Sequence, residues 1–308
     1  MGQDKWTTED IPDFTGKTII VTGGNSGLGY ESVKALAMKG AHVILTSRTQ
    51  HKGTEAKQKL EKEINKGTIE ILTLDLADLS SVKEFAIAIN RKFKTIDVLL
   101  NNAGIMMTPY QLTKDGFESQ FGTNHLGHFA LTALMKERLL NTPGSRIVNV
   151  SSNAHKYGKM DWENLMFESG KGYAPLKAYG RSKLANLLFT YELDRRLQAA
   201  GSSSKALAAH PGTSTTNLAR FVENKFVFKL FSPFLALMAQ PASQGALPQL
   251  RAATDPKTQG SEYYGPDGLN QIKGYPVKVD SSKASYNAED AQKLWDISEQ
   301  LTGIRFQI

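Results

Sequence analysis

The 308 residues carry 37 Lys+Arg against 30 Asp+Glu, a formal charge of +7, and no cysteine. Lack of cysteine excludes a disulfide framework, a thiolate nucleophile, Cys-ligated zinc and iron–sulfur clusters, and suits a reducing compartment, so a cytoplasmic location is expected. A hydrophobic share of 40% with 22% charged residues excludes wholesale disorder, and the positive charges are interspersed with acids rather than blocked, which argues against nucleic acid as a partner.

Residues 1–16 are polar and lack the apolar core of a signal peptide, and 1–14 are read as a polar N-terminal extension. Beyond it, short apolar runs alternate with longer periodic ones. Residues 17–22 (KTIIVT), 42–46 (HVILT), 69–74 (IEILTL), 96–100 (IDVLL), 146–150 (RIVNV) and 205–209 (KALAA) predict strands. Most lack polar/apolar alternation, as strands buried on both faces of a parallel sheet do. Helical periodicity marks 27–39, 52–64, 80–93, 116–140 and 178–199, with Gly40, Gly67 and Gly201 where C-cap glycines belong. Such β–α alternation predicts an α/β fold: a Rossmann-type, doubly wound parallel sheet flanked by helices. No linker or repeat divides 15–308, so one domain is expected, with everything past about Gly212 an elaboration. The most apolar window, 226–238 (FVFKLFSPFLALM), is broken by Lys229 and Pro233 and falls short of the about 20 residues of a spanning helix.

Directly after the first strand runs Thr22-Gly23-Gly24-Asn25-Ser26-Gly27-Leu28-Gly29, and a helix follows. Glycines let backbone turn tightly and approach a pyrophosphate, while the helix N-terminus offers unpaired N–H groups and a favourable dipole. A dinucleotide site is therefore expected at this turn, in place of a merely structural one. The second strand ends in Thr46-Ser47-Arg48-Thr49, without the acid that would hold the ribose 2′-OH of NAD. A hydroxyl beside a guanidinium favours a 2′-phosphate, so NADP(H) is expected over NAD(H).

Tyr179 and Lys183 stand four residues apart and project from one helix face. A tyrosine with its ordinary pKa near 10 is a poor base, but a neighbouring ammonium and an oxidised nicotinamide favour its phenolate. Ser151 and Ser152 follow the fifth strand, at the strand ends where open α/β sheets bind ligands. Asn102-Ala103-Gly104 follows the fourth strand, and Asn124 lies inside a predicted helix, where asparagine is a poor former and needs solvent or a role.

With these motifs in order, the chain resembles the short-chain dehydrogenase/reductase superfamily. The matching features are the 22–29 turn, Asp75-Leu76, Asn102-Ala103-Gly104, Asn124, Ser152, Tyr179/Lys183 and Pro211-Gly212, spread over about residues 15–300. NHLGHF, IVNVSSNAH, SKLANLLFT, HPG, Tyr263-Tyr264-Gly265-Pro266 and Leu294-Trp295 are similar to the branch that holds retinol dehydrogenases and WW-domain oxidoreductase. The resemblance implies a catalytic tetrad: Tyr179 as acid/base, Lys183 holding the nicotinamide ribose and lowering the tyrosine pKa, Ser152 positioning the substrate oxygen, and Asn124 holding a relay water. It also implies Asp75, with Leu76, at the adenine, Asn102, with Ala103 and Gly104, at the adenosine ribose, Pro211 and Gly212 beside the cofactor, Thr216 at the nicotinamide amide, and pro-S hydride transfer. Two departures stand out. Tyr179 follows Ser152 by 27 positions (179 − 152), about twice the family's shortest spacing, and the insert with Trp162, Phe167 and Tyr173 is expected to form a surface element near the pocket. The N-terminal anchor of membrane retinol dehydrogenases has no counterpart in the polar residues 1–16, so retinoid activity is not carried over.

His125 and His128 have the spacing of a metal pair but no third ligand, and the surrounding motif accounts for them, so no metal is expected. His210 is expected to be structural. The 226–238 window falls in the superfamily's variable substrate loop, here about 213–240. A helix packed on the body, a lid over an apolar pocket, and a shallow membrane-surface contact through Lys225 and Lys229 all fit it, and the lid is favoured. Helices 116–140 and 178–199 would either build a homo-oligomer interface or cover the sheet. The expected activity is NADP(H)-dependent interconversion of a carbonyl and an alcohol on a small, lipophilic substrate. The alternative is a cofactor-binding regulator or scaffold with little turnover.

Overall fold

Alternate residues of each central strand leave on opposite sides of the sheet, and both sides are apolar. Ile19, Val21, Val43, Leu45, Val98 and Leu100 enter one core cluster, while Ile20, Ile44 and Leu99 enter another. Burial on both faces explains the missing alternation in the sequence. The computed structural model describes residues 5–213 and 240–308. The 226–238 window and Thr216 lie outside the described residues.

The strands are β1 (Thr18–Val21), β2 (His42–Ser47), β3 (Thr68–Thr73), β4 (Val98–Asn101), β5 (Arg146–Val150), β6 (Lys205–Ala209), β7 (Tyr263–Pro266) and β8 (Pro276–Lys278). They form one sheet in the order β3-β2-β1-β4-β5-β6-β7-β8. Every pairing is parallel except β7 with β8. The order reverses between β1 and β4, the kind of switch point at which open α/β sheets bind ligands.

Helices α1 (Gly27–Met38), α2 (Gln50–Leu60), α3 (Leu79–Lys92), α4 (Ser119–Phe121), α5 (Gly127–Leu134), α6 (Lys136–Leu140), α7 (Pro175–Ala199), α8 (Ala242–Thr254) and α9 (Ala288–Thr302) cover the two faces. On one face α1 and α8 pack over Val21, Val33, Leu36, Leu247 and Leu250. On the other, α3, α5 and α7 pack over Ile20, Leu99, Phe129, Phe189 and Leu193.

Two sequence expectations are corrected. The single helix over 116–140 is a broken run: Glu118 caps α4 by accepting from Gln120 N and Phe121 N, a π-turn occupies Gly122–Leu126, and Met135 interrupts before α6. The chain past Gly212 is no elaboration, because β7 pairs with β6 through Ala208↔Tyr263 and Ala209↔Tyr264 and α8 covers α1. The N-terminal stretch packs down at Trp6 and Ile11, both buried in the α1–α8 cluster.

The outer sides of α5 and α7, expected either to bind a second copy or to cover the sheet, are overlaid by the chain's own C-terminal segment. Trp295 of α9 stands edge-on to Phe129 at 5.4 Å, stacks on Phe306 at 4.8 Å, and carries the Arg196 guanidinium 4.1 Å from its ring. No described helix is long and apolar enough to cross a membrane.

Candidate active site

The glycine turn after β1 is built for close backbone approach. Gly23 and Gly27 have φ of +65° and +55°, which favours glycine. A side chain on Gly29 would run into the Gly23 carbonyl, and one on Gly24 would lie 2.9 Å from Leu45 and Val33 carbons. Thr46 of β2 holds the turn, accepting from Gly23 N at its hydroxyl (3.2 Å) and from Gly24 N at its carbonyl (3.0 Å). Ser26 precedes α1 with an extended backbone and an exposed side chain that forms no capping bond. The first N–H groups of α1 thus retain the anion-binding character of a helix start. Asn25 and Leu28 are half-buried alongside. Glycine conformation, absent side chains and open N–H groups together fit a dinucleotide pyrophosphate.

Beneath the turn, the Thr22 hydroxyl accepts from Asn102 N and Ala103 N, both at 2.9 Å. It also meets His128 Nε2 at 2.9 Å. Because His128 Nδ1 donates to Asn124 O (3.0 Å), its Nε2 accepts from Thr22. His128 is therefore a neutral bridge between β1 and the π-turn, and burial holds its pKa down to about 4. The Asn102 amide donates to Thr22 O at 2.7 Å, which braces the turn from below. Its Oδ1 accepts from Gln249 Nε2 at 3.1 Å, so both ends of the amide meet protein partners.

At the end of β2, Arg48 is exposed and Ser47 is buried, its hydroxyl without a hydrogen-bond partner among the described residues. Asp75 lies half-buried past β3 and accepts from Ala77 N at 3.0 Å. Leu76 beside it is core, packed where Gly127 has no side chain.

Lys183 and Tyr179 come together near the ends of β4 and β5, as the sequence spacing required. Lys183 is 3% exposed, and its Nζ donates to Val150 O at 2.9 Å and lies 5.7 Å from the Tyr179 ring centre. Loss of water lowers its pKa from 10.5 to about 8. Tyr179 stands half-buried, and desolvation pushes its phenol up to about 12, while a hydrogen bond with Ser152 pulls the other way. Ser152 is held as the cap of a short 3-10 turn, Asn153–Tyr157, by accepting from Ala154 N at 3.2 Å. Its neighbour Ser151 points elsewhere, donating to Lys183 O at 2.8 Å.

Asn124 lies in the π-turn. Its Oδ1 accepts from Ile105 N (2.8 Å), and its Nδ2 donates to Ile105 O (2.9 Å) and Ser182 Oγ (3.0 Å). The amide thus clamps the loop after β4 to α7, and only one lone pair of Oδ1 remains. A side chain on Gly104 would sit 3.2 Å from that oxygen and 3.5 Å from Lys183 Nζ, so both face one gap that glycine keeps open.

His125 is buried against Ser298 Oγ at 2.9 Å and held near a pKa of about 3 by desolvation. His210 is likewise neutral, accepting at Nδ1 from Gly212 N (3.2 Å) and donating from Nε2 to Gln271 Oε1 (3.0 Å). Pro211 and Gly212 follow β6, and Pro211 O accepts from Gln240 Nε2 at 2.7 Å. Among the described residues, no group of three or more His, Asp or Glu side chains is placed to hold a metal.

Several supporting residues escaped sequence inspection. Asn101 donates to Asn149 Oδ1 (2.8 Å) and Thr132 (3.1 Å), and Asn149 donates to Thr190 (3.0 Å), a buried polar ladder from β4 to α7. Asn186 reaches Val150 O at 3.1 Å, the same carbonyl that holds Lys183. The available signal was asparagine at the ends of apolar strands, where it is depleted. Arg181 is fully buried, donating to the carbonyls of Lys159, Asn164 and Leu165 and lying 4.0 Å from the Phe167 ring. It pins the expected insert to the start of α7, and Tyr173 ties the insert to Thr108 O at 2.7 Å.

Residues 17–225 match the family model for short chain dehydrogenase. The chain is 39% identical to retinol dehydrogenase 12 of Mus musculus over 98% of its own length and 90% of that protein. It is 40% identical to retinol dehydrogenase 11 of Homo sapiens over 94% and 86%, and 38% identical to the human WW domain-containing oxidoreductase over 94% and 69%. Among solved structures it is similar to an uncharacterized protein from Mycobacterium Paratuberculosis, with TM-score 0.82 and 44% identity over 99% of this chain and 100% of that one.

Proposed function

Because the chain belongs to the short-chain dehydrogenase family, in its retinol dehydrogenase-like branch, we propose that it interconverts a carbonyl compound and an alcohol with NADP(H), using the Tyr179 hydroxyl to move the proton. The single observation that carries this reading is the convergence of Tyr179, Ser152 and Lys183 at the end of β5. Bound nicotinamide supplies or accepts the hydride.

The remaining work falls to side chains of this protein. In reduction, Tyr179 Oη donates a proton to the carbonyl oxygen, and the Ser152 hydroxyl holds that oxygen in place. A phenol held near 12 is fully protonated at neutral pH and ready to donate. In alcohol oxidation the phenolate must form. A Lys183 ammonium, 5.7 Å from the Tyr179 ring centre, favours it. The gap shared by Asn124 Oδ1 and Lys183 Nζ suits a relay water.

NADP(H) is favoured over NAD(H) by Arg48 standing free in solvent at the end of β2, next to a Ser47 hydroxyl that lacks a partner among the described residues. A guanidinium and a hydroxyl match a phosphate, and no carboxylate occupies the strand end. A lipophilic substrate is supported by the relatives' names and by the apolar composition of 226–238. Titration of NADPH and NADH into wild type and Arg48→Ala tests the cofactor: NADPH should bind tighter to wild type, and the preference should shrink in the variant. Equal or tighter NADH binding to wild type would refute the assignment. An NADPH-consumption screen over aldehydes, ketones, retinoids and steroids tests the substrate class, and turnover confined to small polar carbonyls would refute it.

A further inference from the structure

Gln249 is an amide set in an apolar face. It lies on α8 among Ala246, Leu250 and Ala253, packed toward α1, and is 1% exposed. A buried polar group persists where its hydrogen bonds are satisfied, and here the partners lead directly to the glycine turn. Gln249 Nε2 donates to Ser32 Oγ at 2.8 Å and to Asn102 Oδ1 at 3.1 Å.

The donor bookkeeping fixes every orientation in this set. The Ser32 hydroxyl spends its proton on Leu28 O at 2.9 Å, so its oxygen accepts from Gln249. That turns the NH2 end of Gln249 inward, where its second hydrogen requires an acceptor. Asn102 must then present Oδ1 to Gln249, which directs its Nδ2 to Thr22 O at 2.7 Å. The same Nδ2 sits 2.6 Å from where a side chain on Gly29 would begin and 3.5 Å from where one on Gly23 would begin. One amide thus supports both ends of the turn.

We propose that Gln249 is a positioning residue for the nucleotide: it locks the Asn102 amide and, through it, the height of the Thr22–Gly23 backbone on which the pyrophosphate rests. This rests on the turn being the nucleotide cradle. Gln249→Leu removes both donors and leaves Asn102 free to rotate. Gln249→Glu keeps the shape but, ionised, offers only acceptors, so Asn102 must flip and set its oxygen against the Thr22 carbonyl.

The experiment is a double-mutant cycle on the full chain. NADPH dissociation constants of wild type, Gln249→Leu, Asn102→Ala and the double variant are read by nucleotide fluorescence, and kcat is read at saturating NADPH. Gln249→Leu should weaken NADPH about tenfold, as expected for one unsatisfied buried group. Its kcat should change by less than about twofold, because the reacting groups are untouched. Gln249→Glu should bind more weakly still. In the Asn102→Ala background, Gln249→Leu should add nothing. Wild-type affinity in Gln249→Leu, multiplied penalties in the double variant, a loss expressed in kcat, or failure of both Gln249 variants to fold would each overturn the proposal. If wild type itself binds neither nucleotide, the proposed function falls and this inference falls with it.

Discussion

Replacing Lys183 by methionine should make the cofactor-free protein more stable while abolishing turnover. Burial holds the Lys183 pKa at about 8 against 10.5 in solution. Where both states are protonated, folding therefore carries a penalty of about 2.5 pKa units, or about 3 kcal/mol. Methionine has similar length and no charge to bury. It forfeits the bond to Val150 O, worth about 1 kcal/mol, but that carbonyl keeps Asn186 at 3.1 Å. The net expectation near pH 7 is a gain of about 1–2 kcal/mol. The sign of the pH dependence follows from a folded pKa below the unfolded one. The lysine's penalty is complete below about 8 and fades as pH rises toward 10.5, so the variant's advantage must shrink by about 2 kcal/mol between about pH 7 and 9.5. Urea unfolding of both proteins at these two pH values measures it. A variant less stable than wild type at pH 7, or a difference independent of pH, would refute the reasoning.

Trp295→Ala should cost about 3–5 kcal/mol, the range for emptying a large aromatic site, because Phe129, Phe189 and Phe306 all surround that ring. Urea denaturation reads this, and a loss under about 1 kcal/mol would contradict the packing. The same variant bares part of α5 and α7, so sedimentation should detect more self-association than in wild type. Gly29→Ala drives a methyl group into the Gly23 carbonyl and against Asn102 Nδ2. It should weaken NADPH at least about tenfold while costing only about 1–3 kcal/mol of stability, as overpacking does. Titration calorimetry beside a melting curve separates the two.

The sequence exposed what depends on local pattern. Strands buried on both faces read as unbroken apolar runs. Tyr179 and Lys183 needed only helical spacing to meet, and Gly23, Gly27 and Gly29 marked a turn whose backbone other residues adopt poorly. What depends on distant partners stayed hidden. The short Tyr263–Pro266 run becomes a strand because β6 pairs with it on one side and β8 on the other. The π-turn at Gly122–Leu126 is buried throughout, inside a run that the sequence reads as one helix. Asn124 looked like an ill-placed helix residue until Ile105, 19 positions away, took both ends of its amide. Gln249 meets Ser32 across 217 positions, a separation no sequence window spans.

The central claim is that Tyr179 Oη moves the proton, and kcat for NADPH-dependent carbonyl reduction in Tyr179→Phe tests it most directly. Removing one oxygen atom should lower kcat by about 100-fold or more, in the range of general acid catalysis, with the NADPH dissociation constant unchanged within about twofold. Wild-type turnover in Tyr179→Phe would contradict the mechanism.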